Sequence, residues 1–338
     1  MGRSWWKRVP QSAPKESMML APRIPLNFFG MSFGLAGLAE TWLTAAHQGH
    51  APDTVGDVLL VIAALVWLAT VVGYLRYVGT GAGRLKADLT DAVAGPFASL
   101  ALITPMILAA QGLAPHAANA GKIVVDVFLV LTVLLGGWFT GQWIYGPLEL
   151  DHLHPGYFLP TVAGGLIAAA SAAEVGQQRL AEVMFGLGLI CWLILGSMIL
   201  TRLLFRPSLP APLLPTLAIE VAPAAVASLA YFAINGGLDI FAAGLAGYGL
   251  LMVLAQLRLL PLFIPLKFTP STWAFTFSWA AVCTVALHWI ETGRPAGHLA
   301  YTYLVLAAVT ALIGAIALRT LIALGRRQLL PKPPAVRP

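Results

Sequence analysis

Apolar residues fall in ten long blocks, at about 25–46, 55–77, 92–113, 121–145, 156–175, 180–205, 213–235, 240–263, 271–291 and 297–324, separated by short stretches of Gly, Pro and charged residues. Each block is long enough for a helix to cross a hydrocarbon layer of about 30 Å. Within the blocks the apolar residues are continuous, without the alternation of a barrel strand that faces lipid on one side and a lumen on the other. The pattern predicts an all-α integral membrane protein with ten transmembrane helices over 23–325, between an N-terminal tail (1–22) and a C-terminal tail (326–338). Composition agrees: 59% of the 338 residues are hydrophobic and 10% charged, against roughly 25% charged in a soluble domain. Ten spans and their loops leave no room for a soluble catalytic domain.

The charges then orient the spans. Cytoplasmic loops are enriched in Lys and Arg. With the N-terminus inside, seventeen of the twenty basic residues fall in inner segments and only Lys122, Arg179 and Arg294 in outer loops. This predicts a multi-pass protein of the cytoplasmic (inner) membrane with both termini in the cytoplasm. The net charge of +6 is thereby accounted for by topology, and no nucleic-acid partner is expected. Residues 1–22 lack the compact apolar stretch and small-residue cleavage site of a secretory signal. Cys191 and Cys283 lie in apolar blocks without a CxxC or Cys/His spacing and read as small core residues, so neither metal nor cofactor is expected.

The spans are not equivalent. Pro105, Pro160 and Pro223 interrupt the third, fifth and seventh, and Gly30, Gly34 and Gly37 the first. The even-numbered spans, richer in Leu, Val and Ile, read as unbroken. Further prolines stand near the starts of the odd spans, at Pro25, Pro96, Pro155, Pro215 and Pro270. The repeat reads as five helical hairpins of about 60 residues. A proline frees a helix carbonyl, which membranes tolerate only where protein or a watery cavity satisfies it. The kinked odd helices are therefore expected around a central pore, with the even helices against lipid.

Particular residues then carry a family likeness. Ile24 to Ala36 (IPLNFFGMSFGLA), His154 to Gly165 (HPGYFLPTVAGG), Ala222 to Tyr231 (APAAVASLAY) and Thr272 to Ala280 (TWAFTFSWA) resemble, in order and spacing, the first, fifth, seventh and ninth helices of the tellurite-resistance/dicarboxylate transporter family. That family includes bacterial TehA and the slow anion channels of plant guard cells. The resemblance implies five hairpins around a pore, a homotrimer with one pore per subunit, and passage of small inorganic or organic anions. It also implies a gate: the phenylalanine that plugs the pore falls on Phe277, and the glycine facing it on Gly30. An aromatic ring in a narrow passage excludes ions by bulk, and such a constriction also gates by dewetting.

Ionisable groups inside the spans bear on mechanism. Glu220 lies three residues before Pro223, as a proton or selectivity site or as a hydrogen-bonding partner of a neighbouring helix. Asp126 and Lys122 read as an interfacial ion pair. Glu149, Asp151, His152 and His154 cluster in one loop, where His154-Pro155 reads as a helix start rather than a metal site. Arg258 could snorkel or pair. Trp42, Trp143, Trp273 and Trp289 stand at span ends and suit an interfacial belt. The leading expectation is a small-anion channel or channel-like exporter. The alternative is a proton-coupled dicarboxylate or sulfite carrier of the same family. A membrane enzyme would need converging acids or metal ligands, and the fourteen acids are scattered, so no catalytic residues are expected.

Overall fold

The structure, a computed structural model, describes residues 23–330; the expected N-terminal tail and residues 331–338 lie outside that range. Long helices occupy all ten expected places. They are α1 (Phe29–His47), led in by a 3-10 turn at Leu26–Phe28, α2 (Asp53–Gly79), α3 (Gly95–Leu113), α4 (Ala118–Tyr145), α5 (Pro155–Glu174), α6 (Gln178–Phe205), α7 (Ala211–Asn235), α8 (Ile240–Phe263), α9 (Pro270–Gly293) and α10 (His298–Gly325). Among the described residues, nine helices, α2 to α10, are long and apolar enough to cross a membrane. Helix α1, diluted by Gly30, Ser32, Gly34, Gly37 and Glu40, is less apolar than these.

The odd helices form a closed ring: α1 packs on α3, α3 on α5, α5 on α7, α7 on α9 and α9 back on α1. Each even helix packs on the odd helix before it, and α2, α4, α6 and α10 also reach the next odd helix round. Burial separates the two layers. Between 44% and 83% of the apolar stretch is buried in α3, α5, α7 and α9, against 22–28% in the even helices. Leu65, Leu134, Leu193, Leu250 and Leu304, one on each even helix, are all at least 60% exposed. Such a surface suits lipid, because an α-helix satisfies most of its backbone polar groups within itself.

All five inner helices run the same way, since each is followed by an outer return helix. The prolines explain how they begin. Each opens with a 3-10 segment: Leu26–Phe28, Gly95–Ser99, Pro155–Phe158, Ala211–Val221 and Pro270–Trp273. Proline is pre-set for a first turn, where its missing N–H costs nothing. The internal prolines sit where the winding changes. Pro105 lies one turn before a π-helical stretch, Leu108–Leu113. Pro160 lies within another, Leu159–Ala163, and Pro223 stands where the 3-10 lead of α7 becomes α-helix. The even helices are not wholly unbroken, since Pro261 lies near the end of α8.

The α2–α3 loop holds a seven-residue helix, Arg84–Thr90, that hydropathy did not reveal. Its buried Asp88 accepts hydrogen bonds from Arg23 Nη2 at 3.1 Å and Tyr74 Oη at 3.2 Å, fastening the start of the described chain to this loop. His154 secures the neighbouring hairpin. Its Nδ1 accepts from Gly156 N and its Nε2 lies 3.1 Å from Val93 O. A neutral ring protonated at Nε2 satisfies both partners.

Candidate functional site

A small cavity of about 50 Å³ lies inside the ring, lined by residues from all five inner helices. Gly30 and Phe33 of α1, Leu100 of α3, Leu166 of α5, Val226 of α7 and Phe277 of α9 are among them. The lining contains no charged residue; Asn27, Ser271 and Ser278 are its polar side chains. The cavity takes in the N-terminal turns of the inner helices, so the positive ends of five helix dipoles converge on it.

Phe277 stacks on Phe33, ring centroids 3.7 Å apart and planes 17° from parallel, and only 5% of the residue is exposed. The start of α9 is pinned below it. Trp273 Nε1 donates to Thr320 Oγ1 of α10 at 2.9 Å, and Thr276 Oγ1 donates to Trp273 O at 2.7 Å. The glycines of α1 let the two helices meet. A Cβ on Gly34 would come within 1.9 Å of Thr276 Oγ1, and one on Gly37 within 2.8 Å of the Phe277 ring. Gly30 lines the same cavity, but a Cβ there would meet Trp273 Cβ at an ordinary 3.5 Å. The glycine against the Phe277 ring is thus Gly37. Nothing in the sequence marks Phe33, since one aromatic residue in an apolar helix carries no visible signal.

A second, larger cavity, about 350 Å³, lies at the opposite end of the ring and is also lined by all five inner helices. Its character is different. Glu40 and His47 of α1, Gln111 of α3, Glu174 of α5 and His288 of α9 line it, whereas α7 contributes Leu229, Phe232 and Ala233. Gln111 Nε2 donates to Glu174 Oε1 at 2.8 Å. Glu40 is seven residues past Phe33, and Thr284, also in the lining, seven past Phe277, so about 10 Å of helix separates the ring pair from this vestibule. Glu40 and Glu174 lie far apart in the sequence, which hid their meeting.

The remaining charged candidates lie elsewhere. Glu220 is 7% exposed, its Oε2 has no hydrogen-bond partner, and it is absent from the lining of both cavities, while its neighbour Ile219 lines the first. Asp126 accepts from Gln177 Nε2 at 2.6 Å rather than pairing with Lys122. The turn between α5 and α6 supplies this donor. Asp151 pairs with Arg206 at 3.7 Å, and Arg258 is exposed. Burial lowers the His154 pKa to about 4, helped by the Arg202 charge. Trp273 departs from the expected belt: it is 4% exposed and lines the first cavity, because the 3-10 lead of α9 turns it inward. Cys191 and Cys283 are free and partly buried.

The SLAC1 family, described as voltage-dependent anion channel, matches residues 23–321. The chain is 29% identical over 265 residues to the tellurite resistance protein TehA homolog of Haemophilus influenzae, covering 78% of this chain and 80% of that protein. It is 25% identical over 277 residues to the S-type anion channel SLAH2 and 23% over 292 residues to the guard cell S-type anion channel SLAC1, both of Arabidopsis thaliana. These alignments cover 80% and 83% of this chain, but it spans only about half the length of the two plant proteins. Taken with the all-helical, lipid-facing architecture, the match places the protein in the membrane and among anion transporters rather than enzymes: the chain belongs to the SLAC1 voltage-dependent anion channel family.

Proposed function

We propose that the protein is a channel for small anions, running through the two cavities of the inner ring, with Phe277 and its stacked partner Phe33 as the barrier between them. The single observation that carries this reading is the ring pair at the inner wall of a cavity shared by all five inner helices. The uncharged lining of the first cavity suits passage, since an anion is drawn by helix N-termini without being held by a fixed cation. Two rings in van der Waals contact close such a passage by bulk and by dewetting. Recording Phe277→Ala beside wild type in symmetrical chloride tests it: conductance should rise at least about tenfold, a barrier change of about 1.4 kcal/mol. Unchanged conductance would remove the gate.

The bias of Lys and Arg to one end of the helices favours the cytoplasmic membrane with both termini in the cytoplasm, and the family likeness favours a homotrimer with one pathway per subunit. The transmembrane domain of this reading runs over 23–325, between two cytoplasmic tails. The buried, incompletely paired Glu220 favours a second reading, a proton-coupled carrier of dicarboxylate or sulfite. Coupling would shift the reversal potential with pH, and Glu220→Gln would abolish that shift. A channel keeps the anion's Nernst potential at every pH.

A further inference from the structure

The vestibule at the C-terminal ends of the inner helices is an unexpected surface for an anion to cross. It presents two carboxylates, Glu40 and Glu174, from α1 and α5. Neither is among the ion pairs formed by the described residues; Glu174 is met by the neutral amide of Gln111. The imidazoles of His47 and His288 are the only other titratable groups in the lining, and α3 and α7 bring none. The five helices end here together, so the negative ends of their dipoles point the same way as the carboxylates. Every anion that passes the ring pair must also pass this mouth, about 10 Å further on.

Repulsion between a fixed charge and a permeating ion scales with the charge of that ion. The mouth therefore discriminates by valence: a dianion meets twice the opposition a monoanion meets from the same two carboxylates and dipoles. Low-dielectric walls sharpen the effect, because a cleft of one sign focuses the field. We infer that Glu40 and Glu174 are valence-selecting residues, holding divalent anions out of the pathway while monovalent anions pass. The inference rests on the anion-channel reading and adds the residues that restrict its substrate class.

The experiment compares sulfate with chloride permeability in proteoliposomes carrying the full chain, for wild type and for Glu40→Gln/Glu174→Gln. Glutamine keeps size and hydrogen bonding while removing the charge. The double variant should raise the sulfate-to-chloride ratio at least tenfold, with Glu40→Gln and Glu174→Gln each giving a smaller rise. An unchanged ratio with chloride flux intact overturns the inference and leaves the channel reading standing. Absence of flux for both anions in wild type and in Phe277→Ala defeats the channel reading, and the inference with it. Acid at the vestibule side alone gives a second readout without mutation: lowering that pH should raise the wild-type ratio, and raise it less in the double variant, where only the imidazoles of His47 and His288 still titrate.

Discussion

The two cavities of the inner ring are built from the same five helices yet have opposite chemistry. At the N-terminal end the helices start with proline-led 3-10 turns, and the space between them is lined by Leu, Val, Phe and Gly without a charge. At the C-terminal end the same helices present two carboxylates, two imidazoles and an amide. Parallel helices make this difference structural: one mouth collects five positive dipole ends, the other five negative ones. The outer helices contribute little to the contrast, since their apolar faces are spent on lipid. The lesson is that attraction and discrimination need not share a place. On the proposed pathway an anion would be drawn in where the backbone is positive, stopped by the ring pair in the middle, and sorted by charge at the far side.

The largest effect expected on this division is at the rings. Phe33→Ala/Phe277→Ala should conduct more than either single variant. A stacked pair supplies about 0.5–1.5 kcal/mol beyond its burial, comparable to a tenfold change in rate, and a lone remaining ring still obstructs the passage. Current recordings of the three variants decide the matter. If the double variant matches Phe277→Ala, Phe33 is a wall residue and the barrier is a single ring.

Stability rather than conductance gives the next test, through the acid sensitivity of the N-terminal end. Burial holds His154 at a pKa of about 4, below the ordinary 6.5, so the folded state resists protonation that the unfolded chain accepts. No stability is lost above pH 6.5; the loss grows as pH falls from there and levels off near 4, reaching about 3 kcal/mol. His154→Asn, which keeps a capping acceptor, should flatten that slope when unfolding in detergent is followed from pH 7 to 4. A slope equal to wild type would assign acid lability to other groups.

A smaller effect separates the glycines of α1, between the two ends. Gly34→Ala forces a methyl onto Thr276 Oγ1, and overpacking of this kind costs about 1–3 kcal/mol. Gly30→Ala meets only ordinary contact and should stay within about 0.5 kcal/mol. Thr276→Ala should relieve part of the Gly34→Ala loss. Comparing unfolding midpoints of the three variants checks all of this, and equal losses for the two glycines would contradict the close approach of α1 and α9.

Much of the architecture could be read from the chain because membrane helices announce themselves twice, by apolar length and by proline. The boundaries expected for α2 to α10 lie within three residues of those observed, and the prolines separated inner from outer helices. What escaped reading depended on lateral contact. Gly37 rather than Gly30 touches the Phe277 ring because helical rotation, which periodicity does not reveal in a helix buried all round, decides which glycine faces α9. Glu220 lies one residue from the cavity-lining Ile219 but outside that lining. The vestibule joins Glu40 to Glu174 across 134 positions of sequence, and only closure of the ring brings them to one mouth.

The smallest expected effect tests whether position or mere net charge produces the contrast between the mouths. Asp53 and Asp57 stand at the start of α2, at the same end of the bundle as the vestibule, yet both are exposed and outside its lining. Charges in water are screened over about 8–10 Å at physiological salt, whereas those within a narrow cavity act across low-dielectric walls. Asp53→Asn/Asp57→Asn removes as many negative charges from that end as the double change at Glu40 and Glu174. It should nevertheless alter the sulfate-to-chloride ratio less than about twofold, because outside the cavity only a small fraction of the Coulomb energy survives. If this distant pair moved the ratio as far as the vestibule pair does, selection would belong to the surface potential of the whole face, and the two cavities would differ in lining without differing in role.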